Sequence, residues 1–182
     1  MSRTYLAIAD AFSDAECDRI IALVDEAPTG PGPLYGAAEP EVDPARRDVR
    51  SSLVARRAAP WLFGRLDALF AAGAEAFGLP VGPVSEAIQV LLYGEGGHFR
   101  MWHTDSGPDT GERRRISMSV ELSDAADYAG GELEVVPDLV GRPRTLPRGG
   151  VHLFPSRALH RVVPVTRGRR WALVAWTGIA ET

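Results

Sequence analysis

From Glu86 onward the sequence is cut by glycine into strand-length pieces, and no other feature limits the fold so strongly. The pieces are 86–93, 98–104, 114–122, 131–137, 143–146, 150–155, 158–165 and 169–177. Gly94, Gly96 and Gly97, Gly107-Pro108, Gly130-Gly131, Gly141, Gly149-Gly150 and Gly168 separate or bound most of them. Eight short strands in succession point to a closed or rolled β architecture. Ahead of them the chain reads as helical. Ser13 and Glu16 form a capping box, and Cys17, Ile20, Ile21 and Val24 follow at helical spacing, predicting a helix near 14–26. A second helix is predicted near 58–77, with Pro60 in its first turn and Leu62, Leu66, Leu69, Phe70 and Phe77 on one stripe. Gly73 lies on the same stripe and costs that helix about 1 kcal/mol against alanine. Residues 28–45, from Pro28 to Pro44, are rich in proline and glycine and read as a loop that could cover a site. The fold class expected is mainly β with flanking helices. One domain is expected over residues 1–182, with a helical part at 1–85 and a β core at 86–178.

Composition removes several classes of function. The net charge of −4 gives no strong field for nucleic acid or an anionic membrane, although Arg113-Arg114-Arg115 and Arg167, Arg169 and Arg170 are locally basic. Cys17 is the only cysteine, which excludes an internal disulfide and a thiolate metal cluster. Met1 to Tyr5 lacks the apolar core of a signal peptide, and no stretch approaches twenty apolar residues. The expectation is a cytoplasmic protein with no membrane and no nucleic-acid partner. Composition leaves the oligomeric state open.

The chemistry gathers in the β-rich part, which holds all four histidines. His103 and Asp105 are two positions apart, so an extended strand puts both side chains on one face. An imidazole and a carboxylate so placed can take adjacent positions on a divalent metal. A third ligand from another strand would complete a facial triad with three positions open. His-x-Asp alone is a short pattern that a chain with 24 acidic residues can hold by chance. His98, five positions before His103, falls on the opposite strand face and reads as surface, and His152, between Val151 and Leu153, reads as structural. His160 lies in the stretch Phe154-Pro155-Ser156-Arg157-Ala158-Leu159-His160-Arg161-Val162-Val163-Pro164-Val165. A turn at Thr166-Arg167-Gly168 would bring Arg170 back beside Pro164, roughly 13 Å of strand from His160. That reach suits a two-pronged grip on the far carboxylate of a five-carbon diacid chelated at the metal.

The order Tyr93, His103-x-Asp105, Gly130-Gly131-Glu132-Leu133, Leu153-Phe154-Pro155-Ser156, His160-Arg161-Val162, Pro164-Val165, Gly168-Arg169-Arg170 and Trp176 resembles the prolyl-4-hydroxylase branch of the iron(II)/2-oxoglutarate dioxygenases, and among these the PKHD-type hydroxylases. The likeness covers roughly 86–178. It implies a double-stranded β-helix, a cupin-like jelly roll of two four-stranded sheets supported by the N-terminal helices. It also implies His103, Asp105 and His160 as iron(II) ligands, Arg170 as the anchor for the C5 carboxylate of 2-oxoglutarate, and Tyr93 in the cosubstrate pocket. Trp176 matches a family aromatic that either packs or contacts. Strand parity puts Arg170, Ala172, Val174 and Trp176 inward and Arg169 outward. The segment between Tyr93 and His103, Trp102 beside the first ligand, and the 28–45 loop depart from the family pattern, and they bear on the substrate.

The strand at 114–122 alternates, with Ile116, Met118, Val120 and Leu122 expected beneath the helices. Arg115, Ser117, Ser119 and Glu121 face the other way, toward water in an ordinary sandwich or, as the resemblance implies, toward the barrel mouth as pocket candidates, with Gln89 joining that row. The function implied is hydroxylation of an unactivated C–H bond of a free amino acid, small peptide or prolyl side chain. Iron(II), 2-oxoglutarate and O2 would take part, succinate and CO2 would be released, and ascorbate is a candidate auxiliary reductant. The competing reading is a non-catalytic β-barrel that binds a metal or 2-oxoglutarate as a sensor or scaffold.

Overall fold

A computed structural model describes residues 4–25, 28–34, 41–107, 113–136 and 145–179. The strands are β1 (Leu6–Ile8), β2 (Gly30–Pro31), β3 (Arg47–Asp48), β4 (Arg50–Val54), β5 (Ile88–Tyr93), β6 (His98–His103), β7 (Arg114–Glu121), β8 (Tyr128–Gly130), β9 (Leu133–Val135), β10 (Val151–Pro155), β11 (His160–Val162), β12 (Val165–Gly168) and β13 (Arg170–Gly178). The helices are α1 (Asp14–Ala22) and α2 (Pro60–Phe77), with a 3-10 turn at Arg56–Ala58. A large sheet has the order β1-β10-β7-β13-β5-β4-β2, and a smaller one β3-β6-β11-β9 faces it, with β12 and β8 paired as a ribbon. Both helices keep their sequence signals. The Ser13–Glu16 box caps α1, and α2 starts at Pro60 and ends on Gly78 in the left-handed conformation.

Strand alternation divides the large sheet into two working faces. Ile88 and Val90 of β5, Ile116 and Val120 of β7, Val151 and Leu153 of β10 and Leu173 of β13 pack under Ile20 of α1 and Leu62, Phe63, Leu66 and Phe70 of α2. The opposite parity, including Leu91, Tyr93, Phe154 and Ala172, meets Leu133, Val135 and Val162 of the smaller sheet. The helices therefore seal one face and leave the space between the sheets for a site. Among the described residues no helix is long and apolar enough to cross a membrane.

Four expectations change. The piece 158–165 is two strands, because Pro164 has no N–H to continue a ladder; β11 joins the smaller sheet and β12 pairs with β8. Gly130 is not in a turn between strands but in β8, at φ 72°, where a Cβ would lie 2.3 Å from Pro164 O. In the piece 143–146, residues 143–144 lie outside the described residues and 145–146 are not strand. Strands β1, β2 and β4, in the part read as helical, widen the large sheet to seven strands, and β3 from the same part is one of the four strands of the smaller sheet.

Gly149 holds α1 to the sheet. At φ 80° its N–H donates to Glu121 O at 2.7 Å, its carbonyl accepts from Phe12 N at 3.0 Å, and a Cβ would lie 1.9 Å from Phe12 O. Gly149→Ala is expected to cost about 3 kcal/mol, a fall of roughly 10 °C in Tm. A calorimetric scan with an unchanged midpoint would show that this close approach is not needed.

Candidate metal centre and cavity

His103 ends β6 and His160 begins β11, and the two are paired across the smaller sheet. Asp105 lies just past the strand, where its N–H donates to Ser156 O at 2.9 Å, fixing the carboxylate beside the two rings. One ligand atom from each of the three residues lies within 4.8 Å of the others, and His160 Nε2 is 3.4 Å from Asp105 Oδ2. Octahedral bonds of about 2.1 Å put adjacent donors about 3 Å apart, so a small closing movement gives a facial set.

The surroundings prepare these atoms for a cation. His103 Nδ1 faces Met101 O at 2.9 Å and His160 Nδ1 faces Ala158 O at 3.0 Å. A carbonyl only accepts, so each Nδ1 carries its proton and each Nε2 lone pair points into the cluster. Phe99 stacks on His103 at 3.6 Å between centroids, and Phe154 lies 4.8 Å from His160. Burial, reinforced by the adjacent His160, pushes His103 down to about 3, which keeps the ring neutral. Burial would raise Asp105, but His160, His103, the Ser117 hydroxyl at 2.6 Å and the Trp176 indole hold it below the usual carboxylate value. Two imidazoles and one carboxylate are a donor set for a divalent transition metal.

A cavity of about 130 Å³ opens from this cluster between the sheets. Its wall includes Leu91, Leu133, Val162 and Ala172, with Arg170 among the lining residues. Arg170 pairs in register with Tyr93 across β5, and its guanidinium lies 5.5 Å from the Tyr93 ring. The hairpin expected to return Arg170 beside Pro164 is absent, since β13 lies between β5 and β7 in the other sheet. Arg170 still faces inward by strand parity. Its Nε and Nη2 donate to Glu121 at 3.1 and 2.8 Å, so the two-pronged edge expected for a diacid is taken by a side chain.

The remaining candidates separate. Gln89, Ser119 and Trp176 line the cavity. Ser117 and Trp176 hydrogen-bond Asp105. Glu121 sits behind Arg170 and is not part of the cavity wall. Arg114, not Arg115, lines the cavity, because a register shift between Thr177 and Gly178 breaks the alternation where β7 begins. Its guanidinium stacks 3.8 Å over the Trp176 ring and pairs with Glu86. His98 is buried against Arg100, not on the surface, and stands apart from the metal cluster. Residues 35–40 of the loop expected to cover the site lie outside the described residues, but Pro33 and Leu34 border the cavity.

Arg47 is the main functional candidate that sequence reading missed. It is buried over the Phe99 ring at 5.0 Å and donates to Gln89 Oε1 at 2.9 Å and to Pro33 O. Nothing in the run Arg46-Arg47-Asp48-Val49-Arg50 separates it from its charged neighbours. Ser156 was visible only within the Phe-Pro-Ser stretch, with no sign that its carbonyl would hold Asp105.

The family model of the 2OG-Fe(II) oxygenase superfamily matches residues 88–178. A PKHD-type hydroxylase of Idiomarina loihiensis is 41% identical over 81 residues, covering 44% of this chain and 37% of that relative, so the match spans well under half of the relative's length. A Pseudomonas putida prolyl-4-hydroxylase superposes with a TM-score of 0.71 at 18% identity, over 98% of this chain and 94% of that one. A Trichoplax adhaerens prolyl hydroxylase, solved with a hypoxia inducible factor peptide fragment, superposes with a TM-score of 0.75 at 17% identity, over 96% and 83%.

Proposed function

The chain belongs to the 2OG-Fe(II) oxygenase superfamily, and on that footing we propose that it hydroxylates a C–H bond of a peptide or small amino-acid-like substrate. The observation that carries this reading is the convergence of His103, Asp105 and His160 at one end of a cavity that Arg170 also lines. Those three residues would hold iron(II), and the two Nδ1 protons committed to backbone carbonyls suit them to it. When bound, iron(II) with 2-oxoglutarate supplies the oxidising chemistry, which ends in succinate, CO2 and a hydroxylated product.

The protein's own groups orient and exclude. Ser117 and the Trp176 indole hold the Asp105 carboxylate ionised and fixed in rotation. Leu91, Leu133, Val162 and Ala172 keep water from the space between metal and Arg170. Arg170 would receive the distal carboxylate at the part of its guanidinium not engaged by Glu121, with Tyr93 beneath it. Pro33, Leu34, Arg46, Arg47 and Met101 border the same cavity and are the residues placed to meet a substrate. A peptide substrate is supported by the peptide complex of the Trichoplax adhaerens neighbour. A single domain over 1–182 is part of the proposal, and from the 28–45 segment Pro33 and Leu34 border the site.

Succinate formation from 2-oxoglutarate under air is expected to require added iron(II) and to increase with a proline-containing peptide or free amino acid. Metal and 2-oxoglutarate binding without succinate across such a panel would favour the sensor or scaffold reading. Trp176→Phe keeps an aromatic ring but removes the indole donor to Asp105. Its expected effect is about tenfold weaker metal binding, the scale of an outer partner's loss. Calorimetric titration with manganese(II) measures it, and unchanged affinity would reduce Trp176 to packing.

A further inference from the structure

Behind Arg170 the buried polar groups continue in single file, away from the metal. Glu121 accepts from Arg170 Nε at 3.1 Å and Nη2 at 2.8 Å. Glu121 Oε1 also lies 3.1 Å from His152 Nε2, and His152 Nδ1 lies 2.5 Å from the Tyr5 hydroxyl. Arg170, Glu121, His152 and Tyr5 are 1%, 3%, 0% and 8% exposed. Burying four polar side chains in a row is costly unless each is satisfied by the next, and here each is. Neither His152 nor Tyr5 lines the cavity or joins the metal cluster.

The file has a mechanical consequence. A carboxylate only accepts, so His152 presents an N–H to Glu121 and the Tyr5 hydroxyl satisfies the other ring nitrogen. Glu121, held by His152, grips the Nε–Nη2 edge and so fixes the rotation of the guanidinium. The Arg170 stem passes through the space that Gly131 leaves open, since a Cβ there would lie 3.1 Å from its Cδ. Tyr5 directly precedes β1, an edge strand that pairs with β10 alone and puts Ala7 opposite His152.

We infer that Glu121, His152 and Tyr5 are positioning residues for the distal carboxylate of 2-oxoglutarate, so that the chain at β1 completes the cosubstrate site from outside the family-matched segment. The inference rests on the proposed role of Arg170 as cosubstrate anchor. It gives Tyr5, some eighty residues before that segment begins, a specific effect on one end of one ligand.

The test compares two 2-oxo acids of equal length on the manganese(II)-loaded protein by calorimetry. 2-Oxoglutarate has a distal carboxylate and 2-oxopentanoate has none. Tyr5→Phe removes one hydroxyl and keeps the ring, so it is the variant least exposed to misfolding; Glu121→Gln is the second. Tyr5→Phe is expected to weaken 2-oxoglutarate about fivefold and Glu121→Gln more than about tenfold, with 2-oxopentanoate changed by less than about twofold in both. Equal losses for both acids would mean general packing and overturn the inference, as would unchanged 2-oxoglutarate affinity in Tyr5→Phe. Tighter 2-oxoglutarate binding in Glu121→Gln would show that Glu121 competes for Arg170 instead of positioning it. A wild type that does not prefer 2-oxoglutarate removes the anchor role, and the inference with it. A wild type with that preference and indifferent variants overturns the positioning file alone.

Discussion

Asp105→Ala is expected to abolish iron-dependent succinate formation, lowering it by more than about a hundredfold, the upper end of what loss of an outer-shell partner costs a metal site. The carboxylate is the anionic donor of the three-residue cluster, and without it two imidazoles would be left to hold a dication. The substitution leaves the local backbone intact, because the Asp105 N–H to Ser156 O hydrogen bond does not involve the side chain. What it strands is the Trp176 indole, a cost of about 1–3 kcal/mol for a donor left unsatisfied, whereas the Ser117 hydroxyl keeps Ser156 Oγ at 2.9 Å. The expected signature is therefore a folded protein with a lower Tm, weak manganese(II) binding and no succinate. Activity within threefold of wild type would remove Asp105 from the metal.

The same residues show how far the sequence alone could lead. His103 and Asp105 were read as neighbours because two steps along a strand return to one face. In the fold that strand stops at His103, and Asp105 reaches its place through the Ser156 carbonyl. The pattern was visible but the device was not, since a hydrogen bond across 51 residues leaves no local periodicity. Arg170 faces inward as parity requires, yet no hairpin brings it back beside Pro164. Pro164 breaks the strand that the apolar run suggested, and β13 belongs to the opposite sheet.

Strand β4 shows a different limit. Its buried positions include Ser52, whose hydroxyl accepts from Thr29 N at 2.8 Å, while Leu53 is 63% exposed. The polarity pattern is inverted there, so a reading from hydrophobic alternation could not place the strand. The helices were legible because capping and a 3.6-residue stripe are local signals. Arg47 was not, because burial of one arginine among several depends on Phe99 and Gln89, both far along the chain. The three residues of the candidate metal cluster were legible as residue types in order; the hydrogen bonds that bring them together were legible only as structure.

Glu121 illustrates what a polar row on a strand can conceal, and its replacement should be felt in stability before function. Alternation along β7 makes it one of four side chains facing a pocket, yet among the described residues it is the acidic partner of a buried guanidinium. Burial would raise its carboxyl, but Arg170, with help from His152, lowers it to about 2 from the usual 4.5. Glu121→Gln keeps the shape and one acceptor while leaving the Arg170 charge uncompensated. The expected cost is about 3 kcal/mol, the lower end for breaking a buried pair from one side, or a fall of roughly 10 °C in Tm. The sign with pH follows from the depressed value. The pair's contribution is complete above the unfolded value near 4.5 and is lost as pH falls through about 2. Urea titrations of wild type and Glu121→Gln should therefore show a constant stability gap from pH 7 to 5, falling to less than about half by pH 3. Below that, a protonated Glu121 is chemically close to the glutamine that replaces it, so the two proteins converge. A gap that persists undiminished at pH 3 would mean that the difference comes from packing and not from the charge on Glu121.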